Sequence, residues 1–359
     1  MTHIVIGGGI MGLMTAHYLH AAGEKVMVLE QKQLGQESSW AGGGILSPLY
    51  PWRYSQALND LASWSQQHYP ALIDELKSLS DIDAQYWQCG FLMLDEEEIE
   101  AATLWSRQRQ QTMQIIEPAR MSEIAPSLSP AKLPNQAIWM PDIAQARNPR
   151  LLKALITSLR KRGIELREQC EVNRLAISNH QITGVMCGNE KINASTVTVA
   201  CGAWSNQLLK EHLDTLNVEP VRGQMILFKA TPELLNTMIM EKAHYLIPRR
   251  DGRIIAGSTL EYVGFNKSTT DNARQQLMQK ATDLIPDLGN YPIEHHWSGL
   301  RPGNPRQTPF ISQHPQISGL FINTGHVRNG VVTAPASAKL CVDQILNKPS
   351  ILDPTPYKI

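Results

Sequence analysis

The pattern Gly7-x-Gly9-x-x-Gly12 lies between a short apolar run, His3 to Ile6, and a longer one, Ile10 to Ala22. The first run reads as a buried strand and the second as a helix. Lys25 to Glu30 then reads as a second strand, so the chain opens on a βαβ unit. Each glycine has a physical task. Gly7 permits the tight turn, Gly9 lets the backbone approach a pyrophosphate, and Gly12 lets the helix pack closely on the strand. The helix start offers unpaired N–H groups and the positive end of its dipole to phosphates. Glu30, 18 residues after Gly12, accepts hydrogen bonds from adenosine ribose hydroxyls and repels a 2′-phosphate. An isolated glycine motif is often a bare turn; strand, helix and terminal acid in register point to a bound dinucleotide.

At 359 residues the chain exceeds what one core usually supports, so about two domains are expected. Lys plus Arg and Asp plus Glu both number 33, which leaves no net field to attract nucleic acid or an anionic membrane. The five cysteines Cys89, Cys170, Cys187, Cys201 and Cys341 are scattered, and they suggest neither a metal site nor a disulfide framework. A reducing cytoplasm is therefore expected. Ile4 to Leu19 resembles the apolar part of a signal peptide but has no basic residues before it, and glycines and His17 interrupt it. No stretch is apolar enough to span a bilayer.

Further along, Ser55 to Leu79 has helical periodicity, Tyr86 to Leu94 alternates as a strand, and Glu96 to Met113 reads as a polar helix. Helices are also expected over Leu151 to Arg162 and Asp271 to Ile285. Strand patterns fill Ile164 to Cys201 and Val218 to Thr259, and Gly319 to Asn347 reads strand, glycine loop, helix. A βαβ unit at one end and a strand–loop–helix at the other predict one nucleotide-binding domain assembled from separated segments. The expected division is 1-83, 146-215 and 296-359 for that domain, with 84-145 and 216-295 inserted as a substrate domain. The fold class is thus α/β plus α+β, a Rossmann-type domain carrying an inserted antiparallel sheet. No second glycine fingerprint exists for a nicotinamide dinucleotide. Gly42-Gly43-Gly44 follows Glu37-Ser38-Ser39-Trp40 in a loop whose small residues suit close approach to a ribityl chain or flavin ring.

Several segments in this order resemble the D-amino-acid oxidase-like family of FAD-dependent oxidoreductases. They are IVIGGGIMGL (Ile4 to Leu13), ESSWAGGGILSP (Glu37 to Pro48), ACGAW (Ala200 to Trp204), YLIPRRDGRIIAGST (Tyr245 to Thr259), WSGLRPGNPRQTPFI (Trp297 to Ile311) and GHVRNGVVTAPAS (Gly325 to Ser337). The resemblance implies FAD, held by Gly7, Gly9, Gly12, Ile10, Met11, Glu30 and Gln31 around the adenosine and pyrophosphate. It implies Ser38, Ser39, Gly43, Gly44 and Ile45 along the ribityl and flavin portion, Val172 at the adenine and Gly202 in the ACGAW turn. It places His326, Val327, Arg328, Asn329, Gly330, Val331 and Val332 around the pyrimidine side of the flavin. Arg301 matches an arginine that pairs with the substrate carboxylate, Arg328 a second arginine facing flavin and substrate, and Tyr245 a hydroxyl that bonds the carboxylate. Leu260 is expected beside the α-carbon. Covalent members attach the flavin through a cysteine in the stretch corresponding to Gly303 to Pro309; this chain has none there, which implies non-covalent FAD.

The implied activity is oxidative deamination of glycine and other small amines, sarcosine and small D-amino acids among them. Hydride would pass to flavin N5, giving imine and then glyoxylate, ammonia and hydrogen peroxide, with O2 as acceptor. The imine would supply the thiazole of thiamine. No protein base or metal is required, because the cofactor is the electron sink. The protein supplies orientation, above all through a two-pronged guanidinium on the carboxylate. The resemblance also implies a homo-oligomer, a tetramer. The alternatives are a sarcosine or D-amino-acid oxidase or a quinone-linked dehydrogenase of the same family and, from another class, a non-catalytic flavin-binding subunit. His326 reads as structural, and Tyr50 to Tyr54 are placed near the entrance.

Overall fold

The computed structural model describes residues 2–359. The opening unit consists of β1 (Thr2–Ile6), α1 (Ile10–Ala21) and β2 (Lys25–Leu29), with β1 and β2 parallel and Ile4 opposite Met27. The strands join a six-stranded sheet in the order Phe310–Gln313, Leu320–Thr324, Thr196–Val199, β1, β2, Glu165–Arg167. Its first strand runs antiparallel to its neighbour, and the other pairs are parallel. Alternation along β1 and β2 explains why both faces are covered. Val5, Val26 and Val28 pack against α1 and the helices Gln56–Ser80, Asn148–Lys161 and Gly330–Ile345. Ile4, Ile6, Met27 and Leu29 point the other way, onto Leu175, Ile182, Val185 and Ile192 of a three-stranded antiparallel sheet. A parallel sheet buried on both faces needs such double cover.

An eight-stranded sheet forms the second layer system, in the order Ile293–Gly303, Glu219–Lys229, Arg253–Gly257, His244–Pro248, Met238–Glu241, Phe91–Met93, Ala137–Met140, Gln114–Ile116. Its pairs are antiparallel except Met238–Glu241 with Phe91–Met93. One face packs against the helix Asp271–Leu284 through Ile226, Phe228, Leu246 and Leu277. The other gathers Met225, Tyr245, Ile247 and Ile255. The strand Ile293–Gly303 runs straight through the boundary expected at 295/296, because all of it pairs with Glu219–Lys229. The strand expected over Tyr86 to Leu94 is broken in two at Gly90, whose φ of +73° no β-strand uses. A Cβ there would stand 1.9 Å from the Trp139 ring.

The sequence suggested no disulfide framework, yet Cys170 and Cys187 are joined, with Cα atoms 5.9 Å apart. The antiparallel pairing of Val172–Ser178 with Gln181–Cys187 sets Cys187 opposite Val172 and so beside Cys170. Cys89, Cys201 and Cys341 are free. Among the described residues no helix is long and apolar enough to cross a membrane.

Candidate active site

A cavity of about 400 Å³ runs from the β1–α1 loop to the inner face of the eight-stranded sheet. At its first end the glycines do what their spacing required. Gly7 has φ +107°, and a Cβ on it would lie 2.5 Å from the Ala200 carbonyl oxygen; one on Gly12 would lie 1.9 Å from that of Gly7. Gly9 precedes α1 as its N-cap without a side-chain cap. Instead the Ile10 N–H donates to Ser39 Oγ at 3.0 Å, so Ser39 sits at the helix start. Glu30 is buried. Its two oxygens accept from the Gly8 N–H at 2.7 Å and the Lys32 N–H at 2.9 Å. The carboxylate therefore holds the loop as well as facing the cavity, and each oxygen keeps a lone pair for a hydroxyl donor.

Of the residues implied for the cofactor, Gly7, Gly9, Ile10, Met11, Glu30, Gln31, Ser38, Ser39, Gly43, Gly44, Ile45, Val172, Gly202, His326, Val327, Arg328, Asn329, Gly330 and Val331 all line the cavity. Gly12 and Val332 do not line it. Gly12 is taken up by the contact with Gly7, and Val332 is buried one step further into its helix. Cys201 and Trp204 of the ACGAW segment line the cavity as well, as do Glu171, Asn173 and Asn323; the last three belong to no motif, and only the topology brings them there.

Two observations show that these residues fit FAD. Asn329 is 3% exposed and its Nδ2 meets no acceptor, leaving a donor at the cavity wall where a helix of 16 residues begins. Gly7 and Gly9 leave bare backbone beside the start of α1, the place where a pyrophosphate binds. His326 is buried with Nε2 2.9 Å from Asn323 Oδ1, and burial pushes it down to about 3. It is a neutral, structural imidazole. The Val327 N–H donates to the Pro302 carbonyl at 3.1 Å, which ties this loop to the strand carrying Arg301.

At the other end stand Arg301, Arg328, Tyr245 and Met225. Arg301 donates to the Thr259 carbonyl at 3.2 Å and to Ser258 Oγ at 2.7 Å. Among the described residues no carboxylate pairs with it or with Arg328. Burial pushes the Arg301 guanidinium down to about 10, against the upward pull of Tyr245. A desolvated cation without a counter-ion is a receptor for an anion. Gly223, on the neighbouring strand, is what makes room for it. A Cβ at Gly223 would lie 2.1 to 2.3 Å from three guanidinium atoms. A glycine inside a strand signals such close approach, and that was the available clue to Gly223.

Two expectations are corrected. Leu260 is 46% exposed and does not line the cavity. Its neighbours face inward: Thr259 Oγ1 accepts from the Gln224 N–H at 2.9 Å and donates to Glu261 at 2.5 Å, so the residue between them turns out. None of Tyr50 to Tyr54 lines the cavity either, and Tyr50 is turned away from it. It is buried, its hydroxyl donating to Asp95 at 3.0 Å and accepting from the Ala243 N–H at 2.8 Å. Leu49 takes the lining position.

A family model described as FAD dependent oxidoreductase (DAO) matches residues 3–344. The chain is 41% identical over 355 residues to the glycine oxidase of Pseudomonas putida, covering 99% of this chain and 97% of that protein. It is 32% identical to the bifunctional protein ThiO/ThiG of Trichormus variabilis over 97% of this chain and 53% of that one. Among solved structures, glycine oxidase from Geobacillus kaustophilus superposes with a TM-score of 0.94 at 27% identity, covering 99% and 97% of the two chains.

Proposed function

The chain belongs to the DAO family of FAD-dependent oxidoreductases, and on that premise we propose that it oxidises glycine and other small amines to their imines. The observation that carries this reading is Arg301: a half-buried guanidinium with no carboxylate partner among the described residues, beside the Tyr245 ring, at the far end of the cavity from the dinucleotide cradle. A substrate carboxylate supplies the missing anion. The guanidinium fork holds it in one plane and so fixes the α-carbon. The bulky side chains of Met225, Tyr245 and Leu49 line the cavity, and the likeness to glycine oxidases supports glycine and sarcosine ahead of bulkier D-amino acids. FAD, held by the residues of the dinucleotide cradle, would supply the two-electron acceptor for oxidation of the amine, with O2 as the final acceptor and hydrogen peroxide as its product. The imine hydrolyses to glyoxylate and ammonia. The likeness to the ThiO/ThiG protein supports supply of that imine to thiazole formation in thiamine biosynthesis.

FAD is held without a covalent bond in this reading. Cys201 is the cysteine at the cavity wall, and burial pushes its thiol up to about 12, so it stays protonated and poorly nucleophilic. Acid precipitation should leave all the yellow colour in the supernatant. The reading extends to a homotetramer, as the family resemblance implies, which light scattering on the purified protein tests. For the activity the test is a panel of glycine, sarcosine, D-alanine and D-phenylalanine under air with peroxide readout. Glycine and sarcosine should lead; preference for D-phenylalanine overturns the assignment, and no peroxide with any of them leaves a dehydrogenase, if anaerobic amine still bleaches the flavin, or a flavin-binding subunit, if it does not.

A further inference from the structure

Arg249 lies outside the set of residues just used, and its surroundings are unusual for an arginine. It is 5% exposed, and its partners are all neutral. Nη1 bonds Gln145 Oε1 and, at 3.5 Å, the Ala146 carbonyl. Nη2 donates to the Gly43 carbonyl at 2.7 Å. The nearby carboxylate of Asp251 is already taken by Arg147 at 2.8 Å and Arg253 at 3.1 Å. Gln145 is itself buried, and its Nε2 donates to the Pro248 carbonyl at 2.8 Å, which fixes the amide with its oxygen toward Arg249. An uncompensated charge is thus held against the back of the Gly42–Gly44 loop, whose front lines the cavity.

The loop backbone shows what this does. The N–H groups of Gly43, Gly44 and Ile45 meet no acceptor among the described residues. A trans peptide is planar, with its N–H opposite its C=O. Fixing the Gly43 carbonyl on Arg249 therefore turns the Gly44 N–H the other way. We propose that Arg249 is a positioning residue for the cofactor: it orients the Gly44 donor toward the flavin and places behind it a positive charge that favours the anionic, electron-rich form of the ring. Preorganised donors and a fixed charge beside developing negative charge are the strongest means a protein has of stabilising it. The inference rests on the reading of this cavity as an FAD site.

The test uses FAD-loaded protein and two readouts that need no amine oxidation: the FAD dissociation constant and the affinity of the bound flavin for sulfite, an anion that adds to electron-poor flavins. Arg249→Met removes both charge and fork. Arg249→Lys keeps the charge and loses the fork, whereas Gln145→Glu keeps the fork and cancels the charge. Sulfite affinity should fall about tenfold or more in Arg249→Met and Gln145→Glu, the scale of one nearby charge in a partly screened site. Arg249→Lys should weaken FAD binding by about tenfold while sulfite affinity changes less. Arg250→Met, at the exposed neighbour that bonds the Tyr86 carbonyl at 3.0 Å, should change neither. Sulfite and FAD affinities within threefold of the parent protein in Arg249→Met overturn the proposal. Should that variant not fold, the same result in both Gln145→Glu and Arg249→Lys overturns it. A parent protein that binds FAD and sulfite yet leaves glycine untouched sinks the proposed function instead.

Discussion

Replacing Gly223 with alanine tests the substrate clamp without touching the clamp itself. The added methyl would lie 2.1 Å from Arg301 Nη1, 2.2 Å from Nη2 and 2.3 Å from Cζ. Ordinary contact needs about 3.5 Å, so the guanidinium must retreat by more than about 1 Å. The strand cannot give way instead, because Gly223 is paired with Gly299 within a ladder that runs from Glu219 to Phe228. What moves is the far end of a flexible side chain, so stability should change little. The contact of Nη2 with Ser258 at 2.7 Å is lost and the carboxylate docks out of place. A 1 Å misplacement costs on the order of a hundredfold in rate. Arg301→Ala, which leaves a buried carboxylate without its counter-charge, should cost about 2–5 kcal/mol, roughly 30- to 5,000-fold. Both substitutions act through one group, so Gly223→Ala in the Arg301→Ala background should add less than about threefold, a strongly non-additive pair. Steady-state peroxide assays give kcat/KM for all four proteins, and absorbance gives their FAD content. A Gly223→Ala protein with kcat/KM near that of the parent refutes the reasoning. So does an undiminished loss on the Arg301→Ala background.

Glu30→Gln should weaken FAD binding by roughly 10- to 150-fold, about 1.5–3 kcal/mol, because an amide nitrogen would face the Gly8 or Lys32 N–H where a carboxylate oxygen now accepts; unchanged affinity on titrating the apoprotein contradicts this. His17 is buried on α1, and burial, aided by Arg162, pushes it down to about 4. Its folded pKa lies below the unfolded one, so stability is full above pH 6.5 and falls as the pH drops, when only the unfolded chain takes up the proton. That loss amounts to about 2 kcal/mol between pH 6.5 and 5, and His17→Gln should flatten the urea-derived stability curve by that amount. An unaltered acid slope would show that His17 is protonated in the fold.

The opening βαβ unit was legible because three signals coincided there: glycine spacing, a change of hydrophobic period and a terminal acid. Gly7 and Gly12 were readable for the same reason, since only contact with backbone forbids them a side chain. Arg301 and Arg328 were reached through their flanking motifs. The misses have physical causes. Leu260 lies past the end of the strand Arg253–Gly257, and its orientation is set by the bonds of Thr259 and Glu261 to Gln224 and Arg222, which no local pattern shows. Arg249 and Arg250 read alike as charges before an Asp-Gly turn; their opposite fates depend on Gln145, 104 residues away.

The most direct test is to mix the protein with glycine in the absence of oxygen and follow the flavin absorbance. The account predicts that the parent protein loses its yellow colour completely and regains it when air is admitted, with hydrogen peroxide formed. Arg301→Ala should keep its colour at the glycine concentration that bleaches the parent. Flavin that stays oxidised in the parent protein at saturating glycine, or an Arg301→Ala variant that bleaches as readily, would contradict it.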